Sequence, residues 1–418
     1  MIEFFILLLF ILSYFNYLVS KDYKYPPLLY SSLWLIVLII YWFVYKYQII
    51  SIYNISDKAL FIFFLGALFF SIGGFTMLFI SKNRKNNKEI VSIKINSTID
   101  NLLFIIPIVF LPIYISKAVE LSSSSGVDNF FIGLRLAINY GDEGYGYLGY
   151  IRLLAMFIFF YKFLLFTIFE YRLYFYKIKI YILGIISFIY VVLTTARIQI
   201  LLFLSMVIVI LLLAKKLKMK HVIIFVTLFF SVFVLYSILL NKGGDVDASF
   251  YENLVTAGES FLVYIIGGLV SFSEKLPQIE NVMLGGRNTL NFVLDILAKF
   301  SIIKPNNEMH GGNFVFVPFK TNVFTVYYNY IEDFSLYGFF LIFYLLGIIH
   351  VHFYSRIKSS LLSQFMYAIM VFPVIMSTFS DQYFYVLSSW AKYFLLALRK
   401  WGQANNTLLI FSLCHKRC

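Results

Sequence analysis

The chain has 418 residues, of which 61% are hydrophobic, 21% are aromatic and only 13% are charged. Soluble domains carry about 25% charged residues, so this chain has about half the charge needed to cover a water-facing surface. The mean hydropathy of +0.85 agrees, and the apolar content also excludes a disordered chain. Two cysteines, Cys414 and Cys418, are too few for a disulfide framework. Composition therefore predicts a polytopic membrane protein.

Eleven apolar segments are predicted as spans, because crossing the hydrocarbon core takes about 20 residues of α-helix. In chain order they are approximately 2–19, 28–45, 59–80, 100–118, 150–169, 179–195, 198–214, 222–240, 335–354, 361–378 and 383–398. We expect an all-α polytopic integral membrane protein of about 11 transmembrane helices. The chain from 1 to 418 is then a single membrane-embedded domain.

Basic residues set the expected orientation, because Lys and Arg resist translocation. They fill the connections 82–98 and 215–221, which are therefore predicted to be cytoplasmic. Alternation then gives 20 basic residues inside and 12 outside. The net charge of +13 is thus a positive-inside signature, and no nucleic-acid partner is expected. The N-terminus is predicted to be external and the C-terminus cytoplasmic.

Two external loops are expected, at about 119–149 and 241–334. Within the second, residues 260–272 are apolar but short, and Gly267–Gly268 is expected to interrupt them. We interpret this segment as a re-entrant or interfacial helix, because a crossing there would move the later basic residues outside. A loop of roughly ninety residues in so apolar a protein is usually functional.

Motifs for nucleotide or metal chemistry are absent from the sequence. There is no Gly-rich phosphate loop, no G-x-S-x-G nucleophile elbow and no histidine spacing suited to a metal. We therefore expect no cofactor and no bound metal.

Arginines on the external side suggest a phosphate-bearing lipid ligand, because planar guanidinium groups suit bidentate phosphate contacts. Arg135 lies in the first loop, and Arg197 lies in TTARIQ between two spans. Arg287 follows Gly285–Gly286, which would let the backbone approach a ligand closely. The alternative is that each arginine anchors the chain at the interface or pairs with an external acid.

Proton-transfer candidates also lie on the external side. Asp333, Glu252 and His310 could each accept the proton of a sugar hydroxyl, with a solvated loop charge as the alternative. Tyr328 belongs to the aromatic run YYNYIEDF, which could stack on sugar rings or form an aromatic belt at the interface.

The stretch PFKTNVFTVYYNYIEDFSLYGFFLIFYLLGI, 318–348, resembles the signature of the bacterial O-antigen polymerases, which join oligosaccharide repeat units. That signature has an Asn-Val-(Tyr/Phe)-Thr element, a tyrosine pair and then Asp-Phe-Gly. The matching residues here are Asn322, Val323, Phe324, Thr325, Tyr327, Tyr328, Asp333 and Phe334. Ser335 replaces the glycine, which argues against a tight turn there. TTARIQILL and GLRLAINYGDEGYGYLGYIR, 133–152, resemble two further family elements, so the resemblance covers about 100–390.

The resemblance implies a GT-C-like, metal-independent glycosyltransferase in the bacterial cytoplasmic (inner) membrane, acting on its external face. Its substrates would be undecaprenyl-pyrophosphate-linked glycans, joined into O-antigen or capsule-type polysaccharide for lipopolysaccharide and polysaccharide biosynthesis. A chain-length regulator and a flippase would be partners in the lipid bilayer. Arg135, Arg197, Arg287 and Tyr328 would bind substrate, and Asp333, Glu252 or His310 would be catalytic.

Three other functions stay open. An O-antigen ligase uses the same donor with lipid A core as acceptor, and its large loop also carries arginines and a histidine. A lipid-linked oligosaccharide flippase is expected to have short, even loops and charges within its spans. A purely structural membrane protein has no use for an arginine near the membrane.

Overall fold

The computed structural model describes residues 1–82, 97–141, 144–169, 174–217, 231, 250–303 and 314–397. The described chain is almost entirely α-helical. Its labelled helices are α1 (Ile2–Ser20), α2 (Pro26–Lys46), α3 (Asp57–Lys82), α4 (Ser97–Ser124), α5 (Phe130–Tyr140), α6 (Leu148–Phe169), α7 (Tyr174–Val192), α8 (Arg197–Leu213), α9 (Phe250–Ile279), α10 (Asn291–Lys299), α11 (Tyr327–Ser355) and α12 (Leu361–Met376). Residues 387–397 are also helical. A two-residue hairpin pairs β1 (Val315–Phe316) with β2 (Lys320–Thr321).

Six of these helices are long and apolar enough to cross a membrane: α1, α2, α3, α4, α6 and α11. Each overlaps a predicted span. The helices α8 and α12 are apolar but shorter, at 17 and 16 residues. The chain is therefore an all-α protein of the multi-pass membrane type. The count of eleven spans stays a prediction. The span at 222–240, apart from residue 231, lies outside the described residues, as does the C-terminal segment from 398.

The chain forms two compact units. The first contains residues 1–88, 258–363 and 370–391, and the second contains 89–257, 364–369 and 392–418. Each unit combines segments that are distant in sequence. The single membrane-embedded domain stays a prediction.

Helices α3 and α11 form the centre of the first unit and approach each other through glycines. A Cβ on Gly73 would lie 1.9 Å from the Tyr344 carbonyl oxygen, and one on Gly347 would lie 2.1 Å from the Phe70 carbonyl oxygen. Helix α2 adds the buried rings of Tyr30 and Trp34 to this core. Only glycine allows the two backbones to pack this closely.

Helix α11 is broken at Ser335, which has φ 58° and ψ −176°. Tyr327 packs with ring centroids 5.0 Å from Phe339 and 4.9 Å from Phe343. In a straight helix, 16 residues would separate Tyr327 from Phe343 by about 24 Å along the axis. The short segment 327–334, which we call the fold-back helix, therefore doubles back beside the long segment 336–355.

The break corrects the inference drawn from Ser335 in the sequence. Serine in place of the glycine of the signature that this stretch resembles argues against a tight turn, yet the chain turns sharply at this residue, which has a positive φ. Gly338 completes the turn, because a Cβ there would lie 2.3 Å from the Phe334 Cβ atom. The long segment still has about 20 residues, which suffices for one span.

Helix α9 runs without a break from Phe250 to Ile279, so the expected interruption at Gly267–Gly268 is wrong. The glycine is needed for packing: a Cβ on Gly268 would lie 2.5 Å from the Thr378 carbonyl oxygen. At 30 residues the helix is about 45 Å long. Its re-entrant or interfacial placement stays a prediction.

The ends of the first unit's helices are tied together by polar contacts. The Tyr354 hydroxyl donates to Asp22 Oδ2 at 2.9 Å, so the end of α11 meets the connection between α1 and α2. At the opposite end of α3, Lys58 forms an ion pair with Glu280. The Ser56 amide donates to Ser273 Oγ at 2.8 Å. The start of α3 thus lies beside the end of α9.

The second unit has an aromatic centre of its own. The Tyr114 and Tyr145 rings stack at 4.2 Å, nearly parallel. The Tyr145 hydroxyl donates to the Leu193 carbonyl oxygen at 2.7 Å, and the Tyr190 hydroxyl donates to the Pro107 carbonyl oxygen at 3.0 Å. Tyr145 therefore ties the first predicted external loop to the turn between α7 and α8.

Candidate functional site

The loop 284–289 (LGGRNT), which we call the arginine loop, is bound to the fold-back helix. The amides of Leu284 and Gly285 donate to the carbonyl oxygens of Glu332 and Asp333 at 3.1 and 3.0 Å. Gly285 and Gly286 have φ values of 66° and 91°, which are accessible to glycine without strain. These bonds fix the backbone on the N-terminal side of Arg287.

The Asp333 carboxylate fixes the other side of the loop. Its Oδ2 accepts from the Thr289 amide and hydroxyl, both at 2.7 Å, and the Asn288 amide donates to both carboxylate oxygens at 3.1 and 3.2 Å. The side chain is fully buried. Both oxygens are thus used as structural acceptors, and this arrangement suits a positioning residue better than a proton acceptor.

Glu332 and Tyr328 extend the same network. Asn288 Nδ2 donates to Glu332 Oε2 at 2.7 Å, and the Tyr328 hydroxyl hydrogen-bonds to Glu332 as well. The Tyr328 ring is buried and packs on Phe324 with centroids 4.3 Å apart. Tyr328 therefore supports the base of the loop and presents no open ring face to a sugar.

Arg287 is exposed between these fixed neighbours. The structure thus brings together three of the residues proposed from the sequence: Arg287, Asp333 and Tyr328. An exposed guanidinium on a rigid loop suits recognition of an anion, because little conformational freedom is lost on binding.

Arg135 and Arg197 belong to the second unit. Arg135 is half-buried in α5. Arg197 is the first residue of α8, and its guanidinium nitrogens are shielded from solvent. The N-cap residue Ala196 supplies no side-chain cap, and the Gln199 amide donates to the Ala196 carbonyl oxygen at 3.0 Å. Such a helix end beside an arginine favours a phosphate group.

The turn before Arg197 carries backbone strain. Thr195 is buried and has φ 53°, a conformation that β-branched residues rarely adopt. The Thr194 hydroxyl donates to the Val191 carbonyl oxygen at 2.7 Å and holds the turn closed. Backbone strain of this kind is concentrated at functional sites, so the turn before Arg197 is a candidate part of such a site.

The side chains of the other two catalytic candidates lie outside the described residues. Glu252 belongs to the first turn of α9, where only the backbone is described, and His310 lies outside the described ranges altogether. Within the described ranges, no group of three or more His, Cys, Asp or Glu side chains is placed to hold a metal ion.

Sequence reasoning missed Asp381, which lies between α12 and the helical residues 387–397. It is 6% exposed, and its Oδ1 accepts from the Tyr330 hydroxyl at 2.7 Å and from the Tyr383 amide at 2.8 Å. Burial raises the pKa of Asp381 to about 6. The available signal was a lone acid between two apolar segments, in STFSDQYF.

No protein-family model, curated protein or solved structure matches this chain.

Proposed function

We propose that the protein is a polymerase that joins undecaprenyl-pyrophosphate-linked oligosaccharide repeat units on the external face of the bacterial cytoplasmic membrane. One observation carries the proposal. Asp333, in the stretch that resembles the polymerase signature, binds the arginine loop through four hydrogen bonds. The resemblance therefore coincides with a physical unit that presents Arg287.

In the proposed reaction, a hydroxyl of the terminal sugar on the incoming repeat attacks the anomeric carbon of the growing glycan. The new glycosidic C–O bond forms as the bond to lipid pyrophosphate breaks, and the hydroxyl proton passes to a base. Arg287 stabilises the charge that develops on the departing pyrophosphate. Asp333 and Glu332 hold the arginine loop in place and do not touch the reacting atoms.

Arg197, in the second unit, is proposed separately as a residue that binds a phosphate group. The strained turn at Thr195, two residues before it, supports this proposal. The proposal requires each arginine to act independently on the charge of a phosphate group. It requires no nucleotide, since the leaving group arrives with the lipid.

Deletion of the gene tests the proposal directly. Loss of a polymerase converts long surface polysaccharide to single repeats on an intact core. Complete loss of core-attached repeats would contradict the proposal and favour the ligase or the flippase.

Arg287 variants test the proposed role of the loop. Removing one donor to a developing oxyanion costs roughly 10²–10³ in rate, so Arg287→Ala should yield short chains at normal protein abundance. Arg287→Lys should be impaired too, because an ammonium cannot reproduce the planar fork. Lys299→Ala removes another exposed cation nearby in sequence and should retain wild-type chain length. Wild-type polymer in both Arg287 variants would contradict the assignment.

A lipid-linked oligosaccharide flippase is the second candidate. The observation that favours it is the broken helix α11 together with the buried carboxylate of Asp381. Broken helices and buried ionisable groups mark the binding sites of many transporters. Deletion of a flippase leaves repeats on the cytoplasmic side, where labelling of surface sugars does not detect them.

A further inference from the structure

A buried polar cluster lies in the first unit, apart from the arginine loop. It consists of Asp381, Tyr330, Tyr383 and His350, which we call the Asp381 cluster. Tyr330 belongs to the fold-back helix, His350 to the long segment of α11, and the other two to the connection after α12. The fold-back helix and the connection after α12 therefore meet at one buried carboxylate, and His350 joins the cluster through its ring contact with Tyr383.

Only one oxygen of this carboxylate is satisfied. Oδ1 accepts from the Tyr330 hydroxyl and from the amides of Tyr383 and Phe384, at 2.7, 2.8 and 3.2 Å. Oδ2 is shielded from solvent and has no hydrogen-bond partner among the described residues. Nor does Asp381 form an ion pair within those ranges. A buried anion in this state is costly unless something else compensates it.

Two neighbouring side chains also have polar atoms without a hydrogen-bond partner among the described residues. The Tyr383 hydroxyl and His350 Nε2 are buried and have no partner in the part of the chain that the structure describes. The two rings lie 5.6 Å apart. Buried polar atoms are nearly always hydrogen-bonded, so these atoms, on residues linked by the Tyr383 amide bond to Asp381 and by the Tyr383–His350 ring contact, are candidates to bind a small polar molecule.

The occupant must be small and able to reach a carboxylate that is 6% exposed. The orphan atoms comprise a carboxylate oxygen, a hydroxyl and an imidazole nitrogen. The carboxylate oxygen accepts hydrogen bonds, and the hydroxyl and the imidazole nitrogen can each donate or accept. A water molecule needs partners of both kinds. Beyond the cluster itself, the titratable groups that interact with it are Tyr30 of α2 and Tyr327 of the fold-back helix.

We propose that the Asp381 cluster is a proton-binding site, at which Asp381 Oδ2 takes a proton from a hydronium ion that reaches the cluster through water. The step converts hydronium and carboxylate to water and a neutral carboxyl group, so charge and atoms balance. The raised pKa of Asp381, about 6, agrees with binding near neutral pH. This inference does not rest on the proposed polymerase reaction.

Proton binding would also change how the fold-back helix is held. The ionised carboxylate accepts a short, charge-assisted hydrogen bond from Tyr330, and such bonds weaken when the charge is lost. The fold-back helix also carries Asp333 and so the arginine loop. A proton on Asp381 would therefore loosen one of the contacts that fix this helix.

Infrared spectroscopy of the full-length protein in lipid nanodiscs tests the inference. We expect the carbonyl band of a buried, protonated carboxyl group to disappear as pH rises from about 4 to about 8, with a midpoint near 6. Asp381→Asn should lack this band. Asp295→Asn removes an exposed carboxylate on α10 and should retain it. An identical buried-carboxyl titration in the wild type and Asp381→Asn would overturn the proposal.

Tyr330→Phe provides an independent test should Asp381→Asn fail to fold. It removes the hydroxyl that stabilises the ionised form while keeping the ring. The midpoint of the carboxyl band should therefore rise, by about 1 pH unit. Size-exclusion chromatography checks that the Tyr330→Phe protein is folded as the wild type is. An unchanged midpoint in such a protein would also overturn the proposal.

Discussion

Ser335 shows how a single residue determines the path of the chain. With φ 58° and ψ −176°, it occupies a region that is essentially reserved for glycine. The strained conformation is maintained because other contacts hold the fold-back helix in place. The Tyr327 ring packs on Phe343, and the Asp333 carboxylate accepts hydrogen bonds from the arginine loop. Ser335, at which this chain departs from the signature that 318–348 resembles, is thus a residue under backbone strain.

Relief of this strain can be measured. Ser335→Gly should stabilise the protein by about 1 kcal/mol, because glycine adopts this conformation without a Cβ clash. Ser355→Gly, at the end of the same helix, should destabilise the protein, because glycine is unfavourable at ordinary helical angles. Thermal unfolding in detergent measures both. Destabilisation by Ser335→Gly would contradict the turn geometry.

Asp333 has a testable structural role at the same scale. In Asp333→Asn one of the two acceptor oxygens becomes an NH2 donor, so the Asn288 or Thr289 amide that faces it loses an acceptor. Each buried donor left unsatisfied costs about 1–3 kcal/mol. The arginine loop should then open, and trypsin should cleave after Arg287 faster than in the wild type. Glu332→Gln keeps an acceptor for Asn288 and serves as the control. Equal cleavage in Asp333→Asn and the wild type would show that the carboxylate does not hold the loop.

At the scale of elements, the close approach of α3 and α11 depends on small residues. Gly347→Ala would place a methyl group 2.1 Å from the Phe70 carbonyl oxygen, so one helix must move. We expect a loss of about 1–3 kcal/mol or more. A methyl group on Gly149 of α6 would meet nothing within 4 Å, so Gly149→Ala should be neutral or slightly stabilising. Comparison of the two melting temperatures measures the difference.

Apolar length predicted the helices well, because a membrane span must satisfy its backbone internally over a fixed distance. Six predicted spans coincide with long apolar helices. The same criterion could not reveal the fold-back helix. Residues 327–334 read as the loop before a span, and only the packing of Tyr327 on Phe339 and Phe343 shows that they lie beside it.

The candidate site was predictable in part. Arg287 was proposed from its flanking glycines, and Asp333 from its place in the stretch that resembles the polymerase signature. Their connection was not, since it depends on backbone amides of Asn288 and Thr289, which are separated from Asp333 by more than forty positions. Asp381 was missed because a lone acid in an apolar stretch has no distinguishing spacing, and its importance comes only from burial.

At the scale of the whole molecule, the polar contacts at the two ends of the first unit predict which residues lie on the same side of the membrane. Tyr354 binds Asp22 at one end, and Lys58 binds Glu280 at the other. Single cysteines at Tyr23 and Lys358 should therefore share one side of the membrane. Cysteines at Asp57 and Met283 should share the opposite side.

Labelling with a membrane-impermeant reagent in intact cells, on a chain without Cys414 and Cys418, measures this. The positive-inside pattern predicts labelling at Asp57 and Met283 only. Labelling at Tyr23 but not at Asp57 would reverse the orientation, while mixed labelling within either pair would contradict the packing itself.

The pairing of early and late helices also has a consequence for biosynthesis. Tyr327 bonds to the Phe63 carbonyl oxygen, 264 positions earlier in the chain. At about 5–20 residues per second, ribosomal synthesis leaves α3 without this partner for about 13–50 s. During that interval the glycine-lined face of α3 is exposed to lipid or to insertion factors. A truncated chain released before residue 327 should thus be a preferred substrate of membrane proteases.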